Sequence, residues 1–160
     1  MKVRKITATD VCEVTGYSRH QLRGLLDDLL IYSRKKTVPR VAREFTRADL
    51  IVLAVVRALE TRHSVRRDVI ASISDLLRRT LAGPKMVNRD ARLLISFDPP
   101  TIGYLTSVTP PSDGILMSLR PIFQRVDQYL GHGLPYGEEV QPELKFGPGL
   151  VAGSRKKAVQ

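Results

Sequence analysis

A chain of 160 residues suits one ordinary domain or two small ones, and 42% hydrophobic residues suffice for a core, which excludes a wholly disordered protein. Twenty-six Lys and Arg against sixteen Asp and Glu give +10, one cysteine excludes an internal disulfide or Cys-rich metal site, and no apolar run approaches a membrane span. The basic N-terminus lacks the hydrophobic stretch of a signal peptide, so a cytoplasmic location is expected.

The first predicted element is a short helix over Asp10–Val14, with Thr9 as N-cap and Asp10 and Glu13 near the positive end of its dipole. Cys12 lies among apolar neighbours there and is expected to act as a small buried hydrophobe. Gly16 supplies the positive-φ residue that a tight inter-helix turn needs. Ser18 then caps a second helix, whose Leu22, Leu25, Leu26, Leu29 and Leu30 fall at helical spacing and predict a core-facing stripe. Arg19, His20, Gln21, Arg23 and Gly24 fall on its outward side.

Between Tyr32 and Phe45, Val38, Val41 and Phe45 are expected to anchor two short strands around the tip Arg34-Lys35-Lys36, forming a cationic hairpin. Thr46 and Asp49 make a capping box that opens a third helix, apolar on most sides. Ser64 is expected to cap a fourth helix bearing Val65, Val69, Ile70, Ile73, Leu76, Leu77 and Leu81, which Gly83-Pro84 terminates. Arg66, Arg67, Arg78 and Arg79 fall on its polar face.

The second half changes character. Arg92–Asp98, Thr101–Val108 and Ile115–Ser118 are short runs with strand composition, split by Pro99-Pro100 and a proline-glycine turn. Pro121 fits the first turn of a last helix carrying Ile122, Phe123, Val126, Tyr129 and Leu130. Aromatics Phe97, Tyr104, Phe123 and Tyr129 are expected in the core, and Asp98, Asp113 and Asp127 at turns or on the surface. The fold class is α+β: a winged helix-turn-helix of four helices over 1–82, a small antiparallel β plus helix part over 83–134, and a flexible tail over 135–160.

Charge follows this division. Residues 1–82 hold seventeen basic and nine acidic groups, a surplus of eight, whereas 83–160 hold nine and seven. A helix-turn-helix followed by a cationic hairpin, in the basic half, points to double-stranded DNA. Ser18, Arg19, His20, Gln21 and Arg23 would face the major groove and its flanking phosphates, while Arg34, Lys35, Lys36, Arg40 and Arg43 would lie along the backbone.

The ordered set Asp10-Val11, Val14-Thr15-Gly16-Tyr17-Ser18, Leu22-Arg23, Leu30-Ile31, Arg43-Glu44-Phe45-Thr46 and Asp49-Leu50 resembles the MerR family of winged-helix transcription regulators, over roughly the first half of the chain. The resemblance implies a bacterial-type, DNA-binding homodimer acting on an inverted repeat. It puts Arg23 at the recognition-helix arginine, Arg43 at the wing arginine, and Gln21 at a polar position that touches the backbone. The chain departs from the family at Gly24-Leu25, where two aromatics are usual, at Leu29 for a glycine, and at Val41-Ala42 for a glycine-aromatic pair. Gly83-Pro84 also cuts short the long helix through which that family dimerises, so the second half would supply the dimer contact or a ligand pocket.

Candidate chemistry is sparse. His20, His63 and His132 have no metal-ligand or triad spacing, no Walker or Rossmann glycine pattern occurs, and Ser18 and Ser64 sit where caps belong. Neither an enzyme nor a cofactor is expected, and the sequence leaves a small-molecule effector open. Two alternatives use the same scaffold: an excisionase-like architectural or recombination factor, and a helix-turn-helix turned protein-interaction module.

Overall fold

Hydrophobic periodicity becomes helices α1 (Ala8–Thr15), α2 (Arg19–Asp28), the single turn α3 (Leu30–Ser33), α4 (Arg47–Arg62) and α5 (Arg67–Leu81). Strands β1 (Arg92–Phe97), β2 (Pro100–Leu105) and β3 (Ile115–Ser118) follow, then helix α6 (Arg120–Leu130). The computed structural model describes residues 5–33, 42–85, 90–107 and 113–131. The architecture is mixed α+β with one small antiparallel sheet, as expected. The expected hairpin over Arg34–Val41 and the tail over 135–160 lie outside the described residues.

Local chemistry sets each helix start. The N-cap of α1 is Thr7 rather than Thr9: the Asp10 carboxylate accepts both the Thr7 backbone N–H and its hydroxyl at 2.7 Å. A cap at Thr9 would put Cys12 at the third helical position, where no side-chain oxygen reaches back. Cys12 itself is half-buried against the core. Gly16 ends α1 with φ 75°, its N–H donating to the Cys12 carbonyl at 2.8 Å, so the turn uses the residue that tolerates this region. Ser18 caps α2 as expected, and the Thr46–Asp49 box opens α4.

Two expectations fail for backbone reasons. Leu30 is 54% exposed instead of core-facing, because Leu29 turns extended and ends α2, so Leu30 begins α3 on a new course. Ser64 does not cap α5. The Val65 N–H still donates to the Leu59 carbonyl, Ser64 is held at φ 52°, and the cap position falls to Arg66.

Helix α4 is central: Asp49 through Val56 are all buried, and it packs against α1, α5 and α6. In the sheet, β1 lies between β2 and β3, antiparallel to both. Side-chain alternation places Leu93, between Tyr104 and Met117, and Ile95, between Ile102 and Ile115, on the core side. Helix α5 packs against β2. At Gly114 a Cβ would collide with the Ile95 carbonyl, so only glycine lets the chain enter β3 this close to β1. One cluster of buried side chains runs from Ile6 and Val11 through α4 to Leu93, Phe123 and Val126.

Asp127, expected at the surface, is buried and ion-paired. Arg47 Nε and Nη2 donate to its two carboxylate oxygens at 2.6 and 2.7 Å, and the guanidinium also lies 5.5 Å from the Phe123 ring centre. Arg47→Ala is expected to cost about 2 kcal/mol, below the cost of breaking a fully buried pair because Arg47 is partly solvated. A urea midpoint that falls by less than Arg66→Ala shifts it would contradict this, since the Arg66–Asp68 pair is exposed on both sides.

Candidate nucleic-acid interface

Helix α2 has two faces with separate duties. Leu22, Leu25, Leu26 and Leu29 are buried, each side chain contributing about 1.5–3 kcal/mol on leaving water, and they fix the helix against the core. Its start is fixed by a reciprocal box: Ser18 Oγ accepts the Gln21 N–H at 3.1 Å, and Gln21 Oε1 accepts the Ser18 N–H at 3.0 Å. In the described structure Ser18 and Gln21 therefore set where the helix begins, and their side-chain oxygens are occupied.

Arg19, His20 and Arg23 are exposed on the opposite side. Arg19 donates to Thr9 Oγ1 at 3.1 Å and forms no ion pair with any described residue. Arg23 forms no ion pair with any described residue. Gly24, grouped with these residues in the sequence, is half-buried beneath the Arg67 guanidinium, which also reaches Asp28 at 3.5 Å and Glu60 at 3.1 Å.

Arg43 arrives from a distant part of the chain. The Phe45 N–H donates to the Ile6 carbonyl at 3.0 Å in an isolated antiparallel bridge, and this lays 42–45 beside the start of α1. Arg43 Nη2 donates to the Tyr32 carbonyl at 3.2 Å, and the Tyr32 hydroxyl donates to Asp49 at 3.1 Å. Arg43 is thus held half-buried with part of its fork committed. Arg19, Arg23 and Arg43 together line a groove of about 490 Å³, with Leu22, Leu26 and Phe45 in its apolar part and Asp27 the carboxylate among its described lining residues. Arg34, Lys35, Lys36 and Arg40 lie outside the described residues.

The remaining titratable groups serve the scaffold. Burial, then the hydrogen bond to Glu60 at 2.5 Å, raises the Tyr17 hydroxyl well above the ordinary tyrosine range, and burial beside Asp49 does the same for Tyr32. Tyr129, expected in the core, is half-buried and lies 2.7 Å from Glu13 and 2.8 Å from Asp10, tying α6 to α1. Among the described residues, no group of three or more His, Cys, Asp and Glu is placed to hold a metal ion, and no helix is long and apolar enough to cross a membrane.

Sequence inspection missed a second basic cluster. Arg57 and Arg62 on α4 and Arg125 on α6 meet at a separate pocket. Its signature is legible afterwards: Ala54, Arg57, Ala58, Thr61 and Arg62 form one helical stripe in which small residues sit between arginines, on a helix otherwise filled with large apolar ones. No protein-family model, curated protein or solved structure matches this chain.

Proposed function

We propose that this chain is a sequence-specific double-stranded DNA-binding protein, a MerR-like winged helix-turn-helix regulator that acts at the nucleoid as a homodimer on an inverted repeat. The observation that carries this reading is the outward side of α2: Arg19, His20 and Arg23 stand exposed on a helix whose opposite side is anchored by four buried leucines. A rigid helix that presents forked donors suits base edges and phosphates of a major groove. Arg43 beside it, the Arg34–Arg40 segment that continues from it, and the overall +10 charge supply attraction for the backbone. Two-fold pairing would double the limited number of base contacts each copy offers.

The test is a mobility-shift titration on a duplex selected from random sequence and on a scrambled control, at several salt concentrations. Arg23→Ala should reduce preference for the selected duplex by roughly tenfold, as loss of one forked base contact does. Lys35→Ala/Lys36→Ala should weaken both duplexes alike and lower the salt slope by about 2, close to one per phosphate contact. Equal binding by all three proteins overturns the reading. An extended, cooperative footprint with sharp bending would instead assign the excisionase-like architectural role. A protein partner held in high salt with no duplex retention would assign the interaction module.

A further inference from the structure

We propose that the pocket between the C-terminal turns of α4 and the first turn of α6 binds a small phosphate monoester, at a site separate from the duplex surface. Its volume is about 230 Å³, and among the described residues its wall carries Arg57, Arg62 and Arg125 and no carboxylate. It shares no lining residue with the groove that holds Arg19, Arg23 and Arg43.

The lack of a counter-charge is the first argument. Arg47, Arg66, Arg67, Arg78, Arg79 and Arg92 each lie within ion-pair distance of a carboxylate. Among the described residues Arg57, Arg62 and Arg125 do not, a property shared with Arg19, Arg23 and Arg43, whose groove, however, is lined by Asp27. Three cations that converge without a counter-charge repel one another, and a dianion seated among them removes that repulsion. A phosphate monoester carries a charge of about −1.5 to −2 at neutral pH, which suits three guanidinium groups better than a monoanion does.

The second argument is donor geometry. The Thr15 and Thr61 hydroxyls in the wall already donate to the carbonyls of Val11 and Arg57, at 2.6 and 2.8 Å. Donation to a ligand therefore falls to the guanidinium forks, whose planar pairs of N–H groups match phosphate oxygens. Arg57 is pre-positioned, its guanidinium 4.7 Å from the centre of the Tyr17 ring, and Tyr17 is itself pinned to Glu60. Pro121 and Ile122, at the N-terminal end of α6, complete the wall on the positive side of that helix dipole. The volume accepts a phosphate with a short carbon chain. A nucleotide would protrude, since pockets for ligands of that size run from about 300 Å³ upward.

The experiment is calorimetric titration of the full chain with inorganic phosphate and with glycerol 3-phosphate, using succinate as the dicarboxylate control. Saturable 1:1 binding of glycerol 3-phosphate, weaker for succinate, is expected. Arg62→Gln/Arg125→Gln should weaken it by roughly tenfold or more, while Arg19→Gln/Arg23→Gln should bind as the unaltered chain does. Should the double variant fail to fold, Arg125→Lys serves in its place: it keeps the charge, loses the fork, and should still bind less tightly. Absence of saturation with both phosphates, equal affinity for succinate, or unchanged affinity in the pocket variants overturns the proposal. It falls equally if Arg19→Gln/Arg23→Gln abolishes glycerol 3-phosphate binding. Since no duplex enters the titration, the outcome is independent of the DNA-binding reading.

Discussion

Replacing Asp49 with alanine should lower stability by about 3 to 5 kcal/mol, the range in which loss of a hydrogen-bonded buried charge and its partners falls. Asp49 is 2% exposed and serves three structures at once. Its Oδ2 accepts the Thr46 N–H at 2.9 Å and the Thr46 hydroxyl at 2.8 Å, closing the first turn of α4. Its Oδ1 accepts the Tyr32 hydroxyl at 3.1 Å and faces Arg78 at 3.8 Å on α5. Truncation strands the donors of two buried or half-buried groups and removes the box that starts the central helix. Thr46→Ala, which removes the cap hydroxyl alone, should cost about 1 kcal/mol. The comparison is made by urea unfolding, reading the midpoint at unchanged slope. An Asp49→Ala midpoint equal to that of Thr46→Ala would show that the Tyr32 and Arg78 contacts contribute nothing. A double-mutant cycle with Tyr32→Phe should return a coupling energy of about 1 kcal/mol or more. The same chain of bonds runs from Asp49 through Tyr32 to Arg43, so Asp49→Asn, which keeps the shape while removing the charge, also tests whether this interior hub positions a groove arginine.

How much of this was legible depended on the range of the forces involved. Ser18, Gly16 and the Thr46–Asp49 box act within three or four residues, and a short string of letters contains the whole interaction. The leucine stripe of α2 and the alternation of β1 are periodic, so they too could be read directly. Leu30 was misplaced because one extended residue, Leu29, resets the phase of a helix, and periodicity carries no mark of such a break. Thr7 and Arg66 were missed as caps for a related reason: the competing threonine and serine have intrinsic cap preference, while the bonds donated by Thr7 to Asp10 and by Val65 to Leu59 decide the position. Contacts between distant segments left no local trace. The Arg47–Asp127 pair spans 80 residues, and the Tyr129 hydroxyl reaches Glu13 across 116. The groove was half visible: Arg19 and Arg23 follow from helix spacing, but Arg43 joins them only because Phe45 bridges to Ile6. The arginine pocket was invisible because two of its cations come from α4 and the third from α6, with strands between them in the chain.

Stability should fall steeply above pH 10, with Tyr17 and Tyr32 as the principal cause. Both rings are buried, and both hydroxyls lie beside carboxylates, Glu60 and Asp49, so ionisation in the folded chain would place two negative charges together away from water. Burial, the larger cause in each, and the carboxylate act in the same direction, while Arg57 and Arg67 near Tyr17, and Arg78 and Arg43 near Tyr32, oppose them only in part. The unfolded chain releases these protons near the ordinary tyrosine value of 10.0, but the folded chain retains them. Above that value the unfolded state binds fewer protons than the native one, so unfolding free energy declines as pH rises, by about 1.4 kcal/mol per pH unit for each tyrosine. Below pH 10 the contribution is fully present and flat. Burial raises Tyr104 and Cys12, and the Glu13 hydrogen bond raises Tyr129, all acting in the same direction from more solvated positions. The measurement is urea unfolding at intervals between pH 8 and about 11.5, within reach of the free tyrosine range. Tyr17→Phe and Tyr32→Phe should each flatten the decline by about one proton's slope, and the double variant by about two, whatever each substitution costs at neutral pH. A decline unaltered in the double variant would place the lost protons elsewhere and remove the burial argument for both rings. A decline that begins well below pH 9 would point to Cys12 instead, whose thiol is the group with the lower ordinary value.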